Sequence, residues 1–202
     1  MHVNMLAGAL KTGQVERDGL YGLHWGDPEA GGPLRQVRDH WLLPYVDPEK
    51  VALEIGPGGG RWTRYMLPFK TLYAVDYYPQ LLGELAKNFS QPNIVPIQNN
   101  GSDFPGVPPA SVDFVFSFGT FVHIDLDIVK SYLENLRSVI RPDGQIVIQY
   151  PDKDKEAARL NRGFAENDPR RMRALVEGAG YRILEEDTTA LPHSSIVRFA
   201  PA

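Results

Sequence analysis

From Val51 onward the chain alternates short β-rich runs with helical patterns, and few folds accommodate that order. Strands are predicted at 51–55, 71–75, 94–98, 112–117, 145–149, 181–186 and 195–199, seven in all. Strands separated by helices must pair in parallel, because the crossover returns each one to the same edge of the sheet. The link at 187–194 is too short for a crossover helix, so the last two strands are expected to pair antiparallel. The expectation is an α/β fold: a seven-stranded, mostly parallel sheet with an antiparallel last strand and helices on both faces.

Two of the intervening helices carry end signals. Val129, Tyr132, Leu133, Leu136 and Ile140 fall at helical spacing behind Asp127, and Pro142, Asp143 and Gly144 stop that pattern. Asp168 reads as an N-cap with Pro169 in the first turn, Met172, Leu175, Val176 and Ala179 as the buried stripe, and Gly180 as the stop. Before Leu34, Gly22, Gly26, Gly31, Gly32 and Pro33 interrupt any long helix. Residues 1–33 are therefore read as an N-terminal lid, and 34–202 as one ligand-binding domain.

The sharpest local signal follows the first strand: Glu54-Ile55-Gly56-Pro57-Gly58-Gly59-Gly60. Glycines there permit a sharp turn and close approach of a nucleotide-like ligand to the backbone. Arg61 and Trp62 come next, where a phosphate-cradling loop needs Lys and Ser or Thr. A dinucleotide fingerprint wants Gly or Ala where Arg61 stands. Glu54 decides further, since a carboxylate beside phosphates is repelled, whereas beside a sulfonium and an ammonium it is attracted. The second strand ends at Asp76-Tyr77, where a carboxylate can accept both hydroxyls of a ribose, or serve simply as a turn cap.

Glu-x-Gly-x-Gly-x-Gly resembles the first motif of class I S-adenosylmethionine-dependent methyltransferases. The likeness extends over roughly residues 34–200, through the Ser111–Val115 and Arg141–Gly144 segments and the closing hairpin. It implies the Rossmann-like fold of that family, S-adenosylmethionine as cofactor, and cofactor contacts from Glu54, Gly56, Gly58, Gly60, Asp76, Tyr77, the adenine-side turn Asn100, Gly101, Ser102 and Asp103, and Ser117 and Phe118.

Methyl transfer is an in-line displacement, so the protein mainly aligns the nucleophile and excludes water. A hydroxyl acceptor also needs a base. His123 follows the fourth strand, at the edge where ligands of open α/β sheets bind. It is the candidate base, with Asp125 as orienting partner; a packed or helix-capping histidine is the alternative. His24 and Trp25 in Tyr21–Pro28, together with Tyr150 and His193, are acceptor-side candidates, and an aromatic cluster that merely packs the cap is the other reading of the first pair. Asp125, Asp127, Asp152 and Asp154 could hold a hard cation such as Mg2+, or be solvated loop acids.

The chain contains no cysteine, which removes thiolate nucleophiles and C5-pyrimidine chemistry. Its net charge of -4 offers no general attraction for a polyanion. Ser117-Phe118-Gly119-Thr120 also departs from the tetrapeptide of base-amino methyltransferases, so nucleic acid is not the expected partner. The basic run from Arg159 to Arg173 alternates with acids and reads as a solvated face. No signal peptide or membrane-length apolar run is present, which makes a cytoplasmic address the expectation. The segments His24–Pro28, Ala74–Pro79 and Gln149–Lys153 are similar to actinobacterial enzymes that O-methylate mannose units during methylmannose polysaccharide assembly, which implies a saccharide acceptor and its 1-OH as the position methylated. Carboxyl or amine methylation, and a non-catalytic cofactor-binding module, are the rival readings.

Overall fold

The computed structural model describes residues 20–202, so the 1–19 part of the expected lid lies outside the described residues. Seven strands form one sheet: β1 Val51–Ile55, β2 Thr71–Asp76, β3 Ile94–Gln98, β4 Val112–Ser117, β5 Ile140–Pro151, β6 Tyr181–Asp187 and β7 Ser194–Pro201. Their order is β3-β2-β1-β4-β5-β7-β6. β1 to β5 run parallel, and β7 is antiparallel to both β5 and β6. The short 187–194 link thus closes a hairpin, as its length required.

The helices are α1 Gly32–Val37, α2 Pro79–Asn88, α3 Leu126–Val139, α4 Glu156–Leu160 and α5 Pro169–Gly178. α1 runs on through Arg38–Leu42 and Leu43–Tyr45 in wider and then tighter helical turns. Asp168 caps α5 by accepting the Arg171 N–H at 2.9 Å. Two differences from the expected pattern stand out. No regular helix follows the glycine loop, only turns and the single tight turn Thr63–Tyr65. β5 begins at Ile140, so the Arg141–Gly144 stop belongs to an irregular strand start whose register shifts against β4.

Central strands covered on both faces are mainly apolar. β4 shows this with Val112, Phe114, Val115 and Phe116 buried. One face meets α3 and α5 through Leu133, Leu136, Met172 and Val176; the other meets the 32–45 segment and Trp62 through Val37, Trp41 and Leu42. The order reverses between β1 and β4, where the chain leaves the sheet toward opposite sides. That leaves a cleft at the carboxyl ends of these two strands.

Candidate functional site

Three strand ends build the floor of this cleft. Gly56 leaves β1 with φ +72, held by its N–H donating to the Val75 carbonyl at 2.8 Å. A side chain at Gly56 would collide with Thr120, and one at Gly60 (φ +101) with the Phe89 ring. Only glycine takes such a backbone at no cost. The fit is therefore mutual: the loop lies against Thr120, Phe89 and Tyr21 as closely as it would against a ligand.

Below the loop sit two buried acids. Glu54 accepts the Thr63 hydroxyl at 2.6 Å, and burial pushes its carboxyl up to about 7. Asp76 accepts the Tyr78 N–H at 2.9 Å and lies within reach of the Gly58 and Tyr77 amides; burial still raises it to about 6. Both positions are poorly solvated, so each acid favours a ligand that brings positive charge or hydrogen-bond donors. This donor set fits S-adenosylmethionine, with a cationic end for Glu54 and ribose hydroxyls for Asp76, and suits phosphates poorly.

In the 100–103 turn, Asp103 accepts the Asn100 N–H, and Asn100 accepts those of Ser102 and Asp103. These side chains shape the turn. Gly101 has φ +108 and lies under the half-exposed Tyr77 ring. Ser117 is fully buried and donates to the Ile55 carbonyl at 2.8 Å, so its hydroxyl joins β1 to β4 instead of facing a ligand. Phe118 packs on Trp62, with ring centroids 4.6 Å apart.

On the other side of the cleft, His123 ends the Phe121–His123 turn after β4. Its Nδ1 bonds the Gly163 carbonyl at 2.8 Å. A carbonyl only accepts, so Nδ1 carries the proton and Nε2 of the neutral ring is basic. Burial lowers the pKa of His123 and keeps the ring neutral. The partner expected for this nitrogen, Asp125, instead occupies the N-cap position of α3, where its carbonyl accepts the Ile128 and Val129 amides. Phe164 stands between two histidines: its ring meets His123 and His193 edge to face, at 5.4 Å each.

His193 reaches this edge because Ser194 pairs with Pro151 at the carboxyl end of β5. Tyr150 is a correction. It is fully buried and donates its hydroxyl to Glu186 at 2.5 Å, so it belongs to the core and not to an acceptor surface. His24 and Trp25 lie against Tyr21, which packs on Gly58 and Gly59; their own rings are tilted at 46° with centroids 3.9 Å apart, and Trp25 is exposed. Among the described residues no group of three or more His, Asp or Glu side chains converges on a metal position. Asp152 is taken up by Ser195 at 2.6 Å and Lys155 at 3.5 Å.

Sequence reasoning did not find Gly163, Phe164 or Gln149. Gln149 is buried, accepts the Gly119 N–H at 2.7 Å and donates to Ser194 at 2.6 Å, so it ties the β4 turn to the hairpin. None of the three stands in a spacing that a linear pattern could reveal.

Residues 53–148, just under half of the chain, match the family model described as a methyltransferase domain. Among solved structures, the fold is similar to an S-adenosylmethionine-dependent methyltransferase from Aquifex aeolicus at 18% identity, with 94% of this chain and 98% of that one covered and a TM-score of 0.67. It is similar also to DhpI in its S-adenosylhomocysteine complex, at 17% identity, 94% and 92% coverage and a TM-score of 0.69. A methyltransferase from Mesorhizobium loti aligns at 11% identity over 86% of this chain and 99% of that one, with a TM-score of 0.71. A search of curated proteins by sequence gave no significant match.

Proposed function

We propose that this chain, a class I S-adenosylmethionine-dependent methyltransferase, moves a methyl group onto a hydroxyl of a small molecule, with a sugar or short oligosaccharide as the acceptor class. The observation that carries the oxygen acceptor is the His123 ring: Nδ1 fixed on the Gly163 carbonyl, Nε2 basic, and a lowered pKa that keeps the base form present at neutral pH. Bound S-adenosylmethionine supplies an electrophilic methyl carbon already activated by positive sulfur.

The chain's own residues do the rest. Glu54 and Asp76 orient the cofactor, the glycine loop lies against it, and His123 removes the hydroxyl proton as oxygen attacks. Phe164 between the two histidines, and separately the His24–Trp25 pair, offer aromatic surfaces of the sort that pack on the apolar face of a sugar. The similarity of the His24–Pro28 and Gln149–Lys153 segments to mannose-methylating enzymes supports a saccharide and its 1-OH in particular. Division into a lid at 1–33 and a catalytic domain at 34–202 belongs to the same reading, as does a cytoplasmic site of action. No helix among the described residues is long and apolar enough to cross a membrane.

The test is a screen of mannosides, other short saccharides and non-sugar hydroxyl compounds for cofactor-dependent methylation, with and without magnesium. His123→Ala should lower kcat by about 10²- to 10⁴-fold while S-adenosylhomocysteine binding is unchanged. Full turnover in that variant, or methylation confined to carboxylates or amines, would refute the assignment.

A further inference from the structure

His193 carries a buried nitrogen that nothing around it satisfies: Nδ1 has no hydrogen-bond partner. That leaves Nε2 as the nitrogen on the open part of this half-buried side chain. The residue is held from several directions. Its carbonyl accepts the Asp152 N–H at 3.3 Å, and the Lys155 ammonium donates to the Leu191 and Ser194 carbonyls on either side of it in the chain. Its ring lies edge to face with Phe164, whose neighbour Ala165 donates its N–H to the Val122 carbonyl at 2.9 Å, directly before His123. The hairpin, Phe164 and His123 thus form one packed unit at the carboxyl ends of β4 and β5. Burial, and then the Lys155 charge, lower the His193 pKa, so the ring is neutral and carries a single proton.

The place of that proton follows from the orphaned atom. A buried N–H left unpaired forfeits its hydrogen bond to water, and unpaired donors are rarer in folded proteins than unpaired acceptors. Nδ1 of His193 therefore keeps its lone pair, and Nε2 bears the hydrogen. His123 has the reverse arrangement, with its Nδ1–H fixed on the Gly163 carbonyl. The two histidine rings meet Phe164 and not each other; each centroid is 5.4 Å from that of Phe164, so they stand at most twice that distance apart. Resting on the hydroxyl-acceptor reading above, we propose that His193 is a specificity-determining residue whose Nε2–H donates to a second oxygen of the acceptor while His123 serves the oxygen that is methylated. A sugar ring lying on Phe164 offers oxygens on both sides, one toward each imidazole. A compound with a single hydroxyl engages only one of them, and a site built to bond an oxygen discriminates against an acceptor that lacks it.

Nitrogen NMR of the imidazoles in the cofactor-free protein reads the tautomers directly: His193 should show its proton on Nε2 and His123 on Nδ1. Turnover then compares mannose, or the polyhydroxyl compound that the screen above returns, with cyclohexanol, which has one hydroxyl. The wild-type protein should favour the polyhydroxyl acceptor by about 10- to 100-fold in kcat/KM. His193→Phe, which keeps a flat ring beside Phe164, should bring the two acceptors to within a few-fold of each other through a raised KM for the polyhydroxyl compound, while the pH profile of kcat keeps its shape. His193→Gln, whose amide supplies an N–H, should restore part of the preference.

The assignment is overturned if His193 carries its proton on Nδ1, if the wild-type protein does not favour the polyhydroxyl compound, if His193→Phe keeps the preference, or if that variant loses kcat on both acceptors together with the pH profile. If the folded wild-type protein binds S-adenosylhomocysteine yet methylates no hydroxyl compound, the hydroxyl-acceptor reading itself falls, and the role of His193 falls with it whatever its tautomer.

Discussion

Glu54 and Asp76 show how one residue can serve binding at the expense of stability. Both carboxyls have pKa values raised above their ordinary 4.5 and 3.8, chiefly by burial. A carboxyl with a higher pKa folded than unfolded favours the fold while protonated. That contribution is complete below the ordinary values and is lost as pH rises through about 6 for Asp76 and about 7 for Glu54. The cofactor-free protein should therefore lose thermal stability between pH 5 and pH 8, and Glu54→Gln should recover part of the loss at pH 8. The same variant should bind S-adenosylmethionine more weakly, by roughly tenfold, because the sulfonium loses its buried counter-charge. Cofactor binding near pH 7 should release protons from Glu54, which calorimetry in buffers of different ionisation enthalpy would detect. For His123 the sign is opposite: kcat should rise with pH and level off below the ordinary histidine value of 6.5, since burial disfavours the protonated ring.

At the scale of elements, the glycine loop and the α5 cap make contrasting claims. Gly56→Ala adds a Cβ that strikes Thr120, on a backbone with φ +72. The left-handed backbone alone costs about 1–2 kcal/mol, and the clash adds to it. Thr120→Ala in the same chain should return only the part due to the clash, as measured by denaturant midpoints of the single and double variants. Asp168→Ala removes the cap on α5 and should cost about 1 kcal/mol of stability, measured as a lower denaturant midpoint. The loop and the cap were both legible in the linear chain, since turn glycines and an Asp-Pro helix start are local signals. The absence of a regular helix after Gly60 was not. Trp62, Met66 and Phe69 stand at helical spacing and all pack into the second core face, yet the only helical element there is the single turn Thr63–Tyr65.

For the whole molecule, the closing hairpin matters because it completes the cleft. Lys155 donates to the carbonyls of Leu191 and Ser194 at 2.8 and 2.7 Å and pairs with the buried Asp152, clamping the turn that presents His193 to the end of β5. Lys155→Met would leave Asp152 without its cation and should destabilise the protein by about 3 kcal/mol, seen as a lower unfolding midpoint. Ser195→Ala, which removes only a hydroxyl from that clamp, should cost less than the loss of the cation.

The strand pattern, the antiparallel ending, the acid-glycine loop and Asp76 were all readable from the chain, because each depends on residues within a few positions of one another. Backbone periodicity, turn chemistry and the sign of a charge beside a turn are properties of short segments. What only the tertiary structure decided is which distant groups meet. Tyr150 turns inward to Glu186 from across the sheet, the Gly163 carbonyl holds the His123 ring over a span of 40 residues, and Arg61 reaches back to Gly22 over 39. Those pairings follow from packing in three dimensions, where strand order and burial set the neighbours, and spacing along the chain carries no record of them.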